Sequence, residues 1–340
     1  MNPTLSADLE RILKKLGNSD LVSKLVNEIS GSDLNTLLLK VFNERSKLMS
    51  PSELLNRYKE NRFVQPAMAD VLQLKQLELD ILKIALNHRA SPLQLSPVAP
   101  LGCTSVVGKV DQNKVISSLR GTEVVSDATN LMALHISELI QTKKNSREDF
   151  IRICTTHRHI RAQFFGNAPG MLPHFHLFCT VTSGIDQGAY SFEKESFWEQ
   201  IRMYQSIFKT LFGSDIEIIF SEREGYKDSA GLLSRVINHG NEFDIAISIS
   251  TSNKENQYYK GFQFTIKTVI NGIEHYIGDG GFVDWTQKLL GNKKERLLIS
   301  AIGLDRLLLG LGVDSESKRE KYKGEFPDES SIRRNYSIVE

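Results

Sequence analysis

Apolar positions up to residue 62 recur at helical spacing and are cut by polar breaks. Leu5, Leu9, Ile12, Leu13 and Leu16 share one helical face, Gly17-Asn18 ends that helix, and Ser19 or Asp20 can cap the next, which carries Leu21, Leu25 and Ile29. Leu34, Leu37, Leu38, Val41 and Phe42 predict a third helix after Gly31-Ser32. Ser50-Pro51-Ser52-Glu53 opens a fourth over 51–60, with an N-cap serine, Pro at the first helical position and Glu at the third. These stripes are expected to pack on one another as the core of a small all-helical unit, residues 1–62.

Past Pro66 the pattern from Val71 to Leu86 is apolar on more than one side, which predicts a helix buried inside the protein. Pro92, Pro97 and Pro100 then hold the chain extended, because each disfavours helix for the residue before it. From about 150 the period shortens to alternating β-branched and aromatic runs with helices between them. Strands are predicted at 151–160, 174–183, 215–221, 243–250, 260–270, 273–278 and 296–302, and helices at 191–212, 228–238 and 284–291. Asn271-Gly272 favours a tight hairpin. The fold class expected is α+β, a mostly antiparallel sheet flanked by helices over residues 63–313. Residues 102–119 read as a mobile loop over a pocket, and 314–340 as a polar C-terminal tail.

Composition narrows the classes. The 340 residues carry 42 Lys+Arg against 41 Asp+Glu, a net charge of +1, with 40% hydrophobic residues, which excludes a wholly disordered chain. Near-neutrality removes the general electrostatic case for nucleic-acid binding. No apolar window approaches a membrane span and the start lacks a signal-peptide pattern, so no membrane association and a cytoplasmic location are expected. Cys103, Cys154 and Cys179 lack CxxC spacing and are expected as reduced thiols.

Three patches have the residue types of a ligand site. Ile160-Arg161-Ala162-Gln163 ends a strand, where a guanidinium fork can hold a phosphate, and Phe175 on the next strand offers a platform for a base. Gly303-Leu304-Asp305-Arg306 stands where a strand meets a helix: Gly303 lets a ligand approach the backbone and Arg306 can reach over it. Tyr258-Tyr259 pair with the double-glycine turn Gly278-Asp279-Gly280-Gly281. The tyrosines are expected to alternate along a strand, so that at most one faces a given side. Asp127 reads equally as a ligand or as the N-cap of a helix carrying Leu131 to Ile136. His157-Arg158-His159 and His174-Phe175-His176, HxH on two paired strands, place imidazoles on one face as for a metal. No Cys or carboxylate in the motif completes a ligand set, so stacking or hydrogen-bonding histidines are expected instead. Cys103 has no evident His partner as a nucleophile.

In order and spacing these patches resemble the class II aminoacyl-tRNA synthetases, closest to the catalytic domain of histidyl-tRNA synthetase and its paralogs that lack an anticodon-binding domain. Tyr258-Tyr259-x-Gly261-x-x-Phe264, Gly280-Gly281-Phe282-Val283-Asp284 and Gly303-Leu304-Asp305-Arg306-Leu307 carry the resemblance, the last looking like the third motif. The helix before Pro97 resembles the first motif, which serves a dimer interface, and the Arg161 hairpin resembles the second. The resemblance implies that Arg161 holds the α-phosphate of ATP and that Phe175 and Arg306, beside Gln163 and Gly303, bind the adenine. It implies that Asp127 takes the substrate ammonium, with Lys254, Tyr258, Tyr259, Gly280 and Gly281 at the amino acid, and that Mg²⁺ accompanies the phosphates.

The departures are specific. Gln163 stands where the second motif usually has Glu, Lys254 where the histidyl branch has Arg, and Phe282-Val283 where it has Arg-Tyr. The activity implied is ATP-dependent activation of an amino acid or similar carboxylate as an acyl-adenylate. Transfer is to an acceptor RNA or protein not recognised through an anticodon, by a homodimer. The alternative is a non-catalytic paralog that senses an amino acid or nucleotide and regulates a partner protein; a third possibility is a helical adaptor on a synthetase-like scaffold.

Overall fold

The structure, a computed structural model, describes residues 7–67, 69–142, 149–163, 173–250 and 258–310. The chain opens with α1 (Ala7–Leu16), α2 (Leu21–Asn27), α3 (Gly31–Lys47) and α4 (Pro51–Glu60). The caps follow from the residues present: Ser30 Oγ accepts from Asp33 N, and Ser50 and Glu53 form a reciprocal capping box. The expected core of this unit is not found. Leu13 is the one buried hydrophobic residue of α1–α4, whereas Val26, Phe42, Leu48 and Leu54 are exposed. Their apolar side chains are left largely uncovered, so the stripes face outward.

The unit instead touches the rest of the chain through polar contacts. Asn35 Oδ1 accepts from Gly121 N at 3.1 Å, and Arg62 donates to the carbonyls of Ala162 and Gln163. Then α5 (Val71–Asn87) is capped by Asp70, whose side chain accepts from Gln73 N. Its Leu74, Leu77, Glu78, Ile81 and Ala85 are buried, but Val71, Leu72, Leu79 and Leu86 are exposed. The wide apolar stripe is thus half covered, not enclosed, because only one face packs on the domain.

Two short strands, β1 (Ser91–Pro92) and β2 (Val98–Pro100), and β3 (Thr122–Val124) precede α6 (Ala128–Thr142). The main sheet is built from β1, β4 (Ile151–Ile160), β5 (His174–Ile185), β6 (Ile216–Glu222), β7 (Ala246–Ser250), β8 (Lys260–Ile270), β9 (Ile273–Val283) and β10 (Glu295–Gly303). Among the described residues its order is β1-β4-β5-β10-β9-β8-β6-β7, antiparallel except for the edge pairs β1–β4 and β6–β7. Between strands run α7 (Ser191–Phe212), α8 (Ser229–His239) and α9 (Trp285–Leu290), and α10 (Leu304–Gly310) follows β10.

Alternation along these strands splits the core in two. Phe178, Phe220, Phe264 and Leu298 face α5, α7 and α8, while Cys179, Val181, Leu297 and Ile299 face α6 and α9. The stretch Gly278 to Gly281 is not a turn but part of β9. A Cβ on Gly280 would lie 2.5 Å from Phe264 Cζ and from Ile299 O, so glycine is required by the close approach of β8 and β10. The tail 314–340 lies outside the described residues.

Candidate functional site

The sheet's inner strands and the segment before α6 enclose a cavity of about 900 Å³. Arg161, Gln163, Phe175, Asp127, Tyr258, Tyr259, Gly303 and Arg306 all line it, and so do Gln263, Asp279, Thr104 and Lys114. The structure therefore brings together most of the residues expected from sequence. Gly280 and Gly281 lie outside the lining, beneath Phe264 and Tyr259, and Lys254 lies outside the described residues.

Asp127 ties down the start of α6, as one of its sequence readings has it, and also lines the cavity. Its Oδ1 accepts from Thr129 N at 2.9 Å and from Thr129 Oγ1 at 2.6 Å, which ties it to the start of α6, while Oδ2 accepts from Tyr258 Oη at 2.9 Å. Burial alone would raise its carboxyl. The Arg161 guanidinium, with the hydroxyls of Thr129 and Tyr258, outweighs burial and holds it below the ordinary range, so the acid is anionic. Arg161 Nε donates to Ser126 O at 3.1 Å and the guanidinium lies 5.0 Å over the Phe175 ring. His159 stacks on the other partner of this group, its ring 5.8 Å from Phe175. Its Nε2 accepts from Ala128 N at 2.8 Å, and burial pushes its pKa down to about 3, so it is neutral.

Both tyrosines reach the cavity, against the expectation that at most one could. They precede β8, where Gly261 has φ +75° and the register slips between Lys260 and Gln263, so strand alternation does not apply to them. Tyr258 bonds Asp127 and Tyr259 lies against Asp279, the rings meeting edge to face at 4.9 Å. Arg306 Nη1 donates to Tyr276 O of the neighbouring strand β9 at 3.4 Å.

The two HxH pairs do not share a face. The register sets Arg158 opposite His176 and His159 opposite Phe175, so His157 and His159 look toward the cavity layer while His174 and His176 point to the other side of the sheet. Among the described residues no group of three or more His, Cys, Asp or Glu side chains could hold a metal ion. The segment 102–119 is packed, not a loose flap: Glu123, fully buried, accepts from Gly102 N and Thr104 N at 2.8 Å each. Burial, with Glu123 and Asp127, pushes the Cys103 thiol up to about 12, so it stays protonated.

Sequence reasoning passed over Gln263 and Asp279 as site residues. Gln263 Nε2 donates to Asp279 Oδ2 at 3.2 Å. The signal was present in the alternation of β8 and β9, but Asp279 sat inside what read as a glycine turn.

No protein-family model matches the sequence, and no curated protein matches it. Solved structures do resemble it. Histidyl-tRNA synthetase from S. aureus aligns over 71% of this chain and 66% of its own, with a TM-score of 0.52 at 13% identity. The RNA-binding domain of threonyl-tRNA synthetase from Cryptosporidium parvum aligns over 71% of this chain and 64% of its own, with a TM-score of 0.57 at 8% identity. An ATP phosphoribosyltransferase regulatory subunit/histidyl-tRNA synthetase from Bacillus halodurans aligns over 81% and 95%, with a TM-score of 0.52 at 12% identity. This chain thus spans just under two thirds of the first two proteins. Among the described residues no helix is long and apolar enough to cross a membrane. With a large antiparallel sheet, helices on both faces and these structural neighbours, the chain has a class II aminoacyl-tRNA synthetase-like fold.

Proposed function

We propose that this protein activates an amino acid or similar carboxylate with ATP, forming an acyl-adenylate and pyrophosphate. The observation that carries the reading is the convergence on one cavity of an anionic Asp127 held by Tyr258, the Arg161–Phe175 pair, and Gly303 with Arg306. Asp127 receives the substrate's ammonium, which leaves the substrate carboxylate to face Arg161. A carboxylate oxygen attacks the α-phosphorus in line, the bond from that phosphorus to the bridging β-oxygen breaks, and pyrophosphate leaves. Arg161 spreads the charge that develops on the α-phosphate, and Phe175 with Arg306 fixes the base so that the phosphorus is presented to the nucleophile. Mg²⁺ held by the nucleotide's own phosphates would neutralise part of their charge.

The acceptor is an RNA or protein, and the outward-facing α1–α4 are available to dock it. The exposed Leu72, Leu79 and Leu86 of α5 support a homodimer through this helix. Pyrophosphate exchange with ATP, Mg²⁺ and each of the twenty amino acids tests the activity. Exchange with at least one amino acid is expected, falling about 10²–10³-fold in Arg161→Ala and also sharply in Arg306→Ala. Absence of exchange with every amino acid and with small carboxylates sinks the reading.

A further inference from the structure

Asp279 is a half-buried titratable group of the cavity that the adenylation chemistry leaves without a role. It stands on β9 with Thr265 of β8 and Ala301 of β10 as its register partners, and both line the cavity. Side chains this small on either side leave the carboxylate reachable. Its orientation is fixed from behind. Gln263 Nε2 donates to it at 3.2 Å, and Gln263 Oε1 accepts from Arg223 Nη2 at 2.7 Å, which keeps the amide's donor end on the acid. Tyr259, itself buried, sets its hydroxyl against the same carboxylate.

Two acids thus share one cavity, each held by one of two adjacent tyrosines. Asp127 has Arg161 as its counter-ion. Asp279 is worse placed: burial and then the charge of Asp127 push its carboxyl above the ordinary range, more than Arg161, Tyr259 and Gln263 offset. A ligand cation beside it would relieve both, because a buried carboxylate is costly until it is paired. A substrate whose ammonium occupies Asp127 and whose carboxylate faces Arg161 has its side chain left to meet the remaining wall. That wall carries Asp279, Gln263 and the ring of Tyr259, an acid beside an aromatic face.

Resting on the adenylation reading, we infer that the activated substrate is a basic amino acid whose side chain ends in a second protonated nitrogen, received by Asp279 between Gln263 and Tyr259. A neutral side chain of equal length leaves the acid without a partner and is rejected, as a site built around a buried polar group rejects the analogue that lacks its mate.

Calorimetric binding and pyrophosphate exchange on the full chain, with lysine, ornithine and arginine against norleucine, glutamine and histidine, test this. At least one of the three basic amino acids is expected to bind about tenfold or more tighter than norleucine. Asp279→Asn, of equal size, is expected to abolish that advantage while ATP binding stays within about twofold, which shows the variant to be folded. Exchange driven by a neutral amino acid and not by the basic three overturns the inference and leaves adenylation standing. Binding of a basic amino acid that depends on Asp279 but supports no exchange keeps the inferred ligand and removes adenylation. No binding by the three, or binding indifferent to Asp279→Asn, overturns the inference.

Discussion

The two faces of the β4–β5 hairpin carry almost the same residue types and do different work. On one face, whose His176 and Asp305 also reach the edge of the cavity, Glu78 of α5 accepts from Lys75 Nζ and Thr156 Oγ1 at 3.0 Å each and lies 3.4 Å from His176 Nε2. Asp305 accepts from His176 N at 2.9 Å and from Arg158 at 3.5 Å, Arg158 donates to His174 Nδ1 at 3.0 Å, and His174 Nε2 donates to Gln65 O at 2.6 Å. Every charge there meets its match inside the chain, joining α5, the hairpin and α10. On the other face Arg161 and Phe175 border open space, and Asp127 is anchored by neighbours that orient it toward that space. A histidine- and arginine-rich strand is therefore no sign of a site by itself; what marks one is polar groups fixed from behind and facing a cavity.

The largest test of that division sets Arg161→Ala against Glu78→Ala. The first is expected to remove most of the exchange activity while the chain stays folded, at some cost in stability because Asp127 loses its counter-ion. The second strands Thr156 and the buried His176, so a loss of about 1–3 kcal/mol in urea unfolding is expected, with exchange by the folded fraction reduced far less than in Arg161→Ala. If both variants lose activity alike while both remain folded, the two faces are not separate in function.

Much of the fold was legible because its signals are local. The helix at 191–212 and the strands at 151–160 and 260–270 stand where periodicity placed them. What failed depended on partners. Whether His157 and His174 share a face turns on the register of β4 against β5, and a one-residue shift exchanges the faces entirely. Stripes on α1–α4 say that a face is apolar, not that the same chain covers it. The cavity's Arg161, Phe175, Asp127 and Arg306 came from motif order, whereas Asp279 was hidden because Gly280 and Gly281 look like a turn until the side chains pressing on them are known.

A smaller effect separates the faces by pH. Burial is the main cause that lowers His159 to about 3 and His176 to about 4, both well below the unfolded value of 6.5. Between those values the unfolded chain binds more protons than the native one, so the stability these residues contribute is complete above about pH 6.5 and is lost as pH falls toward 4 and then 3. Protonating His159 also removes the acceptor for Ala128 N and loosens the start of α6, which holds Asp127. Urea midpoints at pH 7, 5.5 and 4 are expected to fall less steeply in His159→Gln and in His176→Gln than in the native chain. Substrate binding is expected to follow pH more closely through His159 than through His176. Parallel curves for all three proteins would mean that neither imidazole is held neutral by the fold.

The smallest expected effect sharpens the cavity face itself. Gln163 lines the cavity two residues beyond Arg161, and its backbone carbonyl accepts from Arg62 Nη1 at 3.1 Å, so the strand end is anchored whatever its side chain carries. Gln163→Glu keeps the side chain's length and an accepting oxygen and adds one charge near Arg161. An amide oxygen and a carboxylate oxygen both accept from an exocyclic amine, so base recognition is retained. The added charge acts on Arg161 through a solvated opening, where a change under about tenfold in the KM for ATP, with kcat nearly constant, is expected. A rise of a hundredfold or more in exchange would give a different result: glutamine at this position would then be what restrains the site, and the cavity face would hold its ligands without completing the chemistry.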